Sequence, residues 1–228
     1  MFVDEAARMR YGILVEPATT KPWDSRVAHV LVRPLRDTRI TPNHITTLGL
    51  ATGLAAATCF ALGGGGAHVG AALFVLSALL DHADGELARM TGKTSPFGEV
   101  YDRIADLVVK VSVFGGMGVG LRHGWLGPWA SLLGLVAGTA FVTIFLVRSE
   151  LARRMGRAAL DQPSAGPFEI EDILYVIAPV TWLGWLVPFV AAASVGAPAF
   201  AAWTATRLFV ARPAVPHESG TPHASPRS

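Results

Sequence analysis

Four aspartates are concentrated in a short segment that follows a strongly apolar stretch. Residues 81–106 read DHADGELARMTGKTSPFGEVYDRIAD and contain Asp81, Asp84, Asp102 and Asp106. The first two are three residues apart and the last two are four apart, so in helical conformation each pair shares one helix face. Two such faces turned toward each other would form a cluster of four carboxylates. Because carboxylate oxygens suit hard divalent cations, we expect Mg²⁺ or Mn²⁺ at this cluster.

Small residues and an arginine accompany the aspartates. Gly85 and Ala88 follow Asp81 along its helix face, and Gly98 lies one turn before the second aspartate pair. Their small side chains leave the helix surface bare, so that a bulky or phosphorylated ligand can approach the backbone. Arg89 offers a planar fork of donors that suits phosphate oxygens. The segment therefore predicts a combined site for metal and phosphate.

The elements that position these side chains are expected to be membrane helices. The chain has 228 residues, 51% of them hydrophobic and only 16% charged, with a mean hydropathy of +0.43, which is too apolar for an ordinary soluble domain. A spanning helix needs roughly 20 mostly apolar residues, and residues 41–210 have room for about six. A net charge of +2 and the lack of a basic run interleaved with aromatic residues argue against a nucleic-acid partner.

Apolar runs and turn residues predict where the helices lie. A helix on the membrane surface, with apolar positions Val27, Val30, Leu31 and Leu35, is expected over residues 23–35. The alternative is an ordinary solvated helix. The predicted spans are residues 41–62, 68–90, 97–120, 129–147 with a polar continuation to 157, and two more within 173–210. A turn is expected at Gly63–Gly66, and the last two spans should be divided near Gly184 or between Gly196 and Pro198.

The chain is therefore predicted to be an all-α integral membrane protein with three regions. Residues 1–40 form a cytosolic segment with the surface helix, residues 41–211 form the six-helix domain, and residues 212–228 form a disordered tail. Residues 161–167 are expected to be a cytosolic loop. The N-terminus lacks the order of basic and then apolar residues that marks a signal peptide, so insertion is expected to use the later helices.

Basic residues indicate the orientation in the membrane, because short cytosolic loops retain lysine and arginine. They precede the first span, occur as Arg89 and Lys93 between the second and third, and follow the fourth, whereas the opposite loops contain only Arg122. Both termini and the aspartate cluster are therefore expected to face the cytosol, in a prokaryotic cell membrane. Gly116 with Gly120, and Gly134 with Gly138, permit close helix contact, either within the chain or in a homodimer.

The aspartate segment resembles the signature of the CDP-alcohol phosphotransferase family, D-x2-D-G-x2-A-R-x8-G-x3-D-x3-D. Every fixed position matches, and the eight matching residues are Asp81, Asp84, Gly85, Ala88, Arg89, Gly98, Asp102 and Asp106. The helix opening at Pro42-Asn43 is also similar to that of the family. The resemblance implies a membrane enzyme that transfers a substituted phosphate from a CDP-alcohol, with CDP-diacylglycerol preferred, to an acceptor hydroxyl and releases CMP.

The resemblance also implies residue roles. Asp81, Asp84 and Asp102 would hold one or two Mg²⁺ or Mn²⁺ ions, and Asp106 would complete the metal site and act as general base. The CDP pocket would comprise Asp81, Asp84, Gly85, Ala88, Arg89, Gly98 and Asp102. The acceptor phosphate would be bound by Arg154, and also by Arg153, Arg148, Arg207 and Lys110. Glu150 departs from the aromatic residue of relatives that use a sugar phosphate, and positive-inside anchoring explains the arginines about as well.

Several alternatives remain at this point. Within the family, the acceptor could be glycerol phosphate, inositol phosphate or serine, or the donor could be a CDP-polyol. Outside it, a divalent-cation transporter would also use intramembrane carboxylates. The aspartates could instead form structural ion pairs with Arg89, Arg103 and Lys110, as in a non-catalytic membrane scaffold. Lys110, one turn beyond Asp106, could tune that base or serve as its structural counter-ion.

Overall fold

The structure is a computed structural model of the protein, and it describes residues 23–155 and 175–210. This part of the chain is all-helical, as the sequence predicted, and the longer helices pack side by side. The helices are α1 (Trp23–Val32), α2 (Pro42–Leu62), α3 (Gly65–Thr91), α4 (Pro96–Gly120), α5 (Trp129–Met155), α6 (Ile177–Trp182) and α7 (Leu186–Val210), with a short 3-10 turn at Arg33–Leu35.

Local capping fixes where two helices of the site begin. Helix α2 starts at Pro42, and His44 Nδ1 accepts a hydrogen bond from the backbone N–H of Thr41 at 3.2 Å. Helix α4 starts at Pro96, and Ser95 Oγ accepts from the N–H of Gly98 at 3.0 Å. Proline suits a first helical turn because its missing N–H would have no partner within the helix there. Both starts lie within a residue of their predicted positions.

Glycines in the left-handed region separate consecutive helices. Gly63 and Gly64 have φ values of 69° and 51°, and helix α3 begins at Gly65 rather than after the predicted four-glycine turn. Gly184, with φ 76°, divides α6 from α7, which confirms the first of the two predicted break positions. The alternative break between Gly196 and Pro198 is wrong, because Pro198 lies inside the continuous helix α7.

Small residues bring the central helices into close contact. A Cβ atom on Gly116 of α4 would overlap the backbone of Ala57 on α2, and one on Gly134 of α5 would overlap the backbone at Phe114 and Gly118 on α4. The glycine spacings are therefore used for packing within the chain. Phe60, Phe114, Met117, Ile177 and Val190 are among the fully buried residues of the main core.

Several of the helices could span a membrane. Among the described residues, four helices are long and apolar enough to cross a bilayer, namely Pro42–Leu62, Gly65–Thr91, Trp129–Leu151 and Leu186–Arg207. Helix α4 has 25 residues, but it carries the charged residues of the aspartate segment. The six predicted spans are not confirmed, since residues 156–174, which include the predicted loop and the start of the fifth span, lie outside the described part.

Helix α1 occupies the place predicted for the surface helix. Ala28 and Val32 are buried against α3, while Val27, Val30 and Leu31 are exposed. An exposed apolar row suits a membrane surface, and the placement of α1 on that surface stays a prediction. Residues 1–22 and the predicted tail, 212–228, lie outside the described residues, so the division into three regions is also not tested.

Candidate active site

Helices α2, α3 and α4, together with Tyr175, enclose a cavity of about 60 Å³. A water molecule needs roughly 10–15 Å³ of such volume, so the cavity has room for about four to six. Its wall includes three of the four signature aspartates. The lining residues are Thr46, Gly49, Leu50, Phe74, Ser77, Ala78, Asp81, His82, Asp84, Ala105, Asp106, Val109, Lys110 and Tyr175.

Thr46 of α2 fixes one of the aspartates. Its hydroxyl group donates a hydrogen bond to Oδ2 of Asp84, and both side chains are buried. The same hydroxyl lies 3.2 Å from the carbonyl oxygen of Pro42, one helical turn earlier. Removing a carboxylate from water is costly unless hydrogen bonds or cations compensate. Helix α2 thus contributes directly to the carboxylate site on α3.

Asp106, the predicted general base, is paired with Lys110. The lysine Nζ lies 2.6 Å from Asp106 Oδ2, and both side chains are largely buried. Lys110 Nζ also lies 5.1 Å from the ring centre of Phe145 on α5, within the range of a cation–π contact. The predicted contact of Lys110 with Asp106 is therefore present, and helix α5 supports the lysine from the other side.

Asp102 lies on α4 one turn before Asp106. Asp81 and Asp84 of α3 and Asp106 of α4 line the same cavity, so the two helices bring acidic residues to one space. The buried Oδ1 atom of Asp102 has no hydrogen-bond partner among the described residues. An unpartnered, buried carboxylate oxygen among further carboxylates is an arrangement that a divalent cation would satisfy.

The cluster has the oxygen ligands that a divalent cation needs, but they are not arranged as a complete coordination shell. Within the described ranges, no three Asp, Glu, His or Cys side chains form a ready-made ligand set. Asp84 and Asp106 are engaged by Thr46 and Lys110. The described part of the cavity wall brings one ammonium group to three aspartates, so an ionised cluster keeps excess negative charge.

Arg89 lies beside the cluster in an unexpected position. Its guanidinium group lies 3.6–3.9 Å from where a Cβ atom on Gly85 would be, which is an ordinary van der Waals separation. Arg89 Nη2 is also 3.4 Å from Glu86 Oε1. Arg89 therefore lies over the surface at Gly85, and the binding of a ligand to that surface stays a prediction.

Gly98 brings the start of α4 close to the start of α2. A Cβ atom at this position would lie 3.0 Å from Asn43 Oδ1 and 3.1 Å from Ser95 Oγ. Both distances are tighter than ordinary contacts, so a larger residue would require the side chains of Asn43 and Ser95 to shift. The glycine thus permits the close approach of α4, the helix that carries Asp102 and Asp106, to the start of α2.

Of the three basic residues in the predicted structural ion-pair network, one pairs with an aspartate. Lys110 does pair with an aspartate, whereas Arg89 is seen beside Glu86, and Arg103 is exposed. The cavity, the buried unpartnered oxygen of Asp102 and the close glycine contacts are not explained by ion pairing.

Comparison with known proteins identifies the family. The profile of the CDP-alcohol phosphatidyltransferase family matches residues 39–210, which include every helix from α2 to α7 and all eight signature residues. The chain belongs to this family. The resemblance predicted from the aspartate segment is thereby confirmed.

Two members of known function are similar in sequence to parts of this CDP-alcohol phosphatidyltransferase. An archaetidylinositol phosphate synthase of Pyrococcus horikoshii is 33% identical over 50% of this chain and 57% of its own length. A bifunctional IPC transferase and DIPP synthase of Rubrobacter xylanophilus is 35% identical over 38% of this chain and 19% of its own. The chain thus spans less than two thirds of either relative.

A solved structure supports the fold. The crystal structure of Mycobacterium tuberculosis phosphatidylinositol phosphate synthase with CDP-DAG bound matches with a TM-score of 0.55. The match covers 81% of this chain and 91% of that chain, at 22% sequence identity. The helical arrangement around the aspartates is therefore a fold that this mycobacterial protein shares.

The four arginines predicted to bind an acceptor phosphate do not line the described cavity. Arg153 and Arg154 contact Glu150, with Nε–oxygen distances of 2.9 Å and 2.6 Å. Arg207 lies over the ring of Trp203 at 4.4 Å. Arg148 has a buried Nη1 atom without a hydrogen-bond partner in the described part of the chain. Lys110 is the predicted acceptor residue that the structure does place in the cavity.

Several residues of the site were missed from the sequence. Thr46 had a detectable signal, since it precedes Gly49 and Gly53 at helical spacing on one face of an apolar helix. Tyr175 had none, because it is distant in sequence, yet its hydroxyl lies 3.5 Å from Nδ1 of His82. Phe145 looked like any apolar residue of a span.

Proposed function

We propose that the protein transfers a substituted phosphate group from a CDP-alcohol to an acceptor hydroxyl and releases CMP. The observation that carries this proposal is that both halves of the signature, on α3 and α4, contribute aspartates to the lining of one cavity. Family membership supports the same reaction class. CDP-diacylglycerol is the preferred donor, because the mycobacterial relative of similar fold was crystallised with CDP-DAG. A CDP-polyol donor is the alternative.

Mg²⁺ or Mn²⁺ would be held by Asp81, Asp84, Asp102 and Asp106. Their hard oxygen donors suit these ions, and the unpartnered oxygen of Asp102 supports such an assignment. A bound divalent ion would supply neutralisation of the charge on the donor diphosphate and make CMP a better leaving group.

Asp106 would take the proton of the acceptor hydroxyl. It borders the cavity, where a hydroxyl could approach, and Lys110 holds one of its oxygens at 2.6 Å. A general base must lie within hydrogen-bonding reach of the proton that it accepts. The phosphorus–oxygen bond to CMP breaks as the acceptor oxygen forms its own bond to phosphorus. Rigid placement of these groups by packed helices supplies the orientation that phosphoryl transfer requires.

The remaining signature residues would bind the nucleotide end of the donor. Arg89 lies on the Gly85 face of α3, where its fork of donors can meet diphosphate oxygens. Gly98 and Ala88 have small side chains, so the donor could approach the helix backbone there. Asp81, Asp84 and Asp102 would contact the donor through the bound cation.

Inositol phosphate is the acceptor that we propose first. Two of the relatives named above are an archaetidylinositol phosphate synthase and a phosphatidylinositol phosphate synthase. Arg148, Arg153, Arg154 and Arg207 would contact the acceptor phosphate, together with Lys110. Because Glu150 now engages Arg153 and Arg154, an incoming phosphate would have to replace that carboxylate. Glycerol phosphate and serine are the other candidate acceptors.

In the membrane, we propose six spans with both termini and the cavity on the cytosolic side. The four apolar helices and the basic residues after α5 support this orientation. Helix α1 would lie on the same surface with Val27, Val30 and Leu31 toward lipid. A homodimer is also proposed, although the small-residue pairs identified in the sequence are already used inside the chain.

The test is release of CMP by purified protein with CDP-diacylglycerol, Mn²⁺ and a panel of three acceptors. Wild type should turn over with one of them, and Asp106→Asn should lower the rate by about 100- to 10,000-fold, as for loss of a general base. Asp37→Asn, an exposed aspartate outside the cavity, is the matched control and should keep the wild-type rate. Cation uptake into vesicles without release of CMP would contradict the proposal and favour a transporter.

A further inference from the structure

Glu86 is a buried acid at a variable position of the signature. It follows Gly85 on α3, and its side chain is only 4% exposed, since α1 covers that part of α3. Ala28 and Val32 of α1 pack in one buried cluster with Leu87, the next residue along α3. Burial of a carboxylate is costly unless cations or hydrogen bonds compensate. Positively charged groups near Glu86 would therefore stabilise the folded protein.

Among the described residues, Arg89 and His29 approach the Glu86 carboxylate from different helices. Arg89 Nη2 lies 3.4 Å from Oε1, and His29 Nδ1 of α1 lies 3.9 Å from Oε2. The Arg89 side chain is otherwise 63% exposed, and its guanidinium lies over Gly85. A long exposed arginine ordinarily samples many rotamers. Here a buried acid holds it on the face of α3 that carries the signature glycine.

We propose that Glu86 is a positioning residue for the nucleotide end of the donor, acting through Arg89. This inference rests on the proposed function, because it assumes that Arg89 meets the CDP diphosphate. Holding the guanidinium in place before the donor arrives reduces the ordering that binding requires. The cover provided by α1 limits water around Glu86 and so strengthens its attraction to the arginine.

The proposal gives α1 a part in donor binding. Helix α1 contributes no residue to the cavity lining, and its contact with α3 is at the charged end of that helix. Because α1 covers Glu86 and Glu86 holds Arg89, the surface helix supports the nucleotide pocket without touching the nucleotide. The signature fixes Gly85 and Arg89 but leaves position 86 free, so this support belongs to the individual chain.

The test is a double-mutant cycle on CDP affinity, measured by calorimetry with the full chain in detergent and a fixed concentration of Mn²⁺. Glu86→Gln should weaken CDP binding by about threefold to tenfold, the effect of freeing one rotamer-rich side chain. Arg89→Ala should weaken it at least as much. The double variant should bind CDP no more weakly than Arg89→Ala alone, because Glu86 acts only through the arginine.

Glu99→Gln removes an exposed acid from α4 and is the control that should keep wild-type affinity. If Glu86→Gln does not fold, Glu86→Asp retains the charge but shortens the side chain, and it should show a smaller loss that again vanishes beside Arg89→Ala. A merely structural role would lower the unfolding temperature and add its loss to that of Arg89→Ala. Additive losses, or unchanged CDP affinity in folded Glu86→Gln, overturn the inference.

The two proposals fail differently. Wild type that binds CDP and releases CMP while the cycle is additive refutes only the role of Glu86. Wild type that neither binds CDP nor releases CMP refutes the proposed function, and the inference about Glu86 with it.

Discussion

Replacing Thr46 with valine tests whether α2 is part of the carboxylate site. Valine keeps the shape of threonine but removes the hydroxyl that donates to Asp84 Oδ2. Both side chains are buried, at 5% and 3% exposure, so water cannot readily replace the lost donor. Loss of a hydrogen bond to a charged, buried group costs about 1.5–3 kcal/mol. We therefore expect Thr46→Val to lower the free energy of unfolding of the metal-free protein by about that amount.

Thr47→Val is a matched control on the next position of the same helix. Thr47 is exposed, and its hydroxyl contacts the carbonyl oxygen of Asn43 and the hydroxyl of Tyr101 rather than a carboxylate. Its replacement should cost less than about 1 kcal/mol. Chemical unfolding in detergent would be followed by circular dichroism, with and without Mn²⁺.

A second measurement separates stability from site chemistry. A cation bound at the cluster compensates Asp84 directly, so Mn²⁺ should stabilise Thr46→Val more than it stabilises Thr47→Val. The reasoning is refuted if the two variants lose equal stability without metal. It is also refuted if Mn²⁺ raises the unfolding midpoint of both by the same amount.

Two further predictions concern the neighbouring contacts. Lys110→Met leaves the largely buried Asp106 without its ammonium partner, so it should cost about 1–3 kcal/mol of stability, less than breaking a fully buried pair. Added Mn²⁺ should then raise the unfolding temperature of Lys110→Met more than it raises that of wild type. Gly53→Ala should destabilise by about 1–3 kcal/mol, because its Cβ would lie 2.5 Å from a methyl of Val109. Gly115→Ala, which meets open space in the described structure, should instead stabilise helix α4 by up to about 1 kcal/mol, and thermal unfolding of the pair checks the difference in sign.

The helices of the site were predictable because their signals are local. Thr41-Pro42 and Ser95-Pro96 place a capping residue before proline, and a helix begins within a residue of each. Spacings of three and four residues put each aspartate pair on one face, and the structure brings Asp81, Asp84 and Asp106 to one cavity. Gly184 could be named as a break, but not chosen over Gly196, because a glycine inside an apolar run is compatible with either a turn or a continuous helix.

The partners of the aspartates were less predictable because they come from distant parts of the chain. Thr46 precedes Asp84 by 38 residues, and Tyr175 follows His82 by 93. Neither pairing has a fixed spacing, since each depends on how two helices are rotated about their axes. Even the local pair Glu86–Arg89 was overlooked, because a glutamate three residues from an arginine is usually a solvent-exposed surface pair. Burial of Glu86 under α1 distinguishes this pair from an exposed one, and it is visible only in the structure.

Close packing explains why the aspartates can serve one site although they lie on two helices. Gly53 on α2 admits Val109 of α4, and Gly98 lets the start of α4 approach Asn43 on α2. These contacts hold α4 at two levels along α2, while Ser77 of α3 donates to the carbonyl oxygen of Gly49 at 2.8 Å. Helix α2 therefore acts as the common support against which both acidic helices are aligned. A substitution that widens either glycine contact should separate the aspartate pairs without altering an acidic residue, so packing on α2 and chemistry on α3 and α4 depend on the same distances.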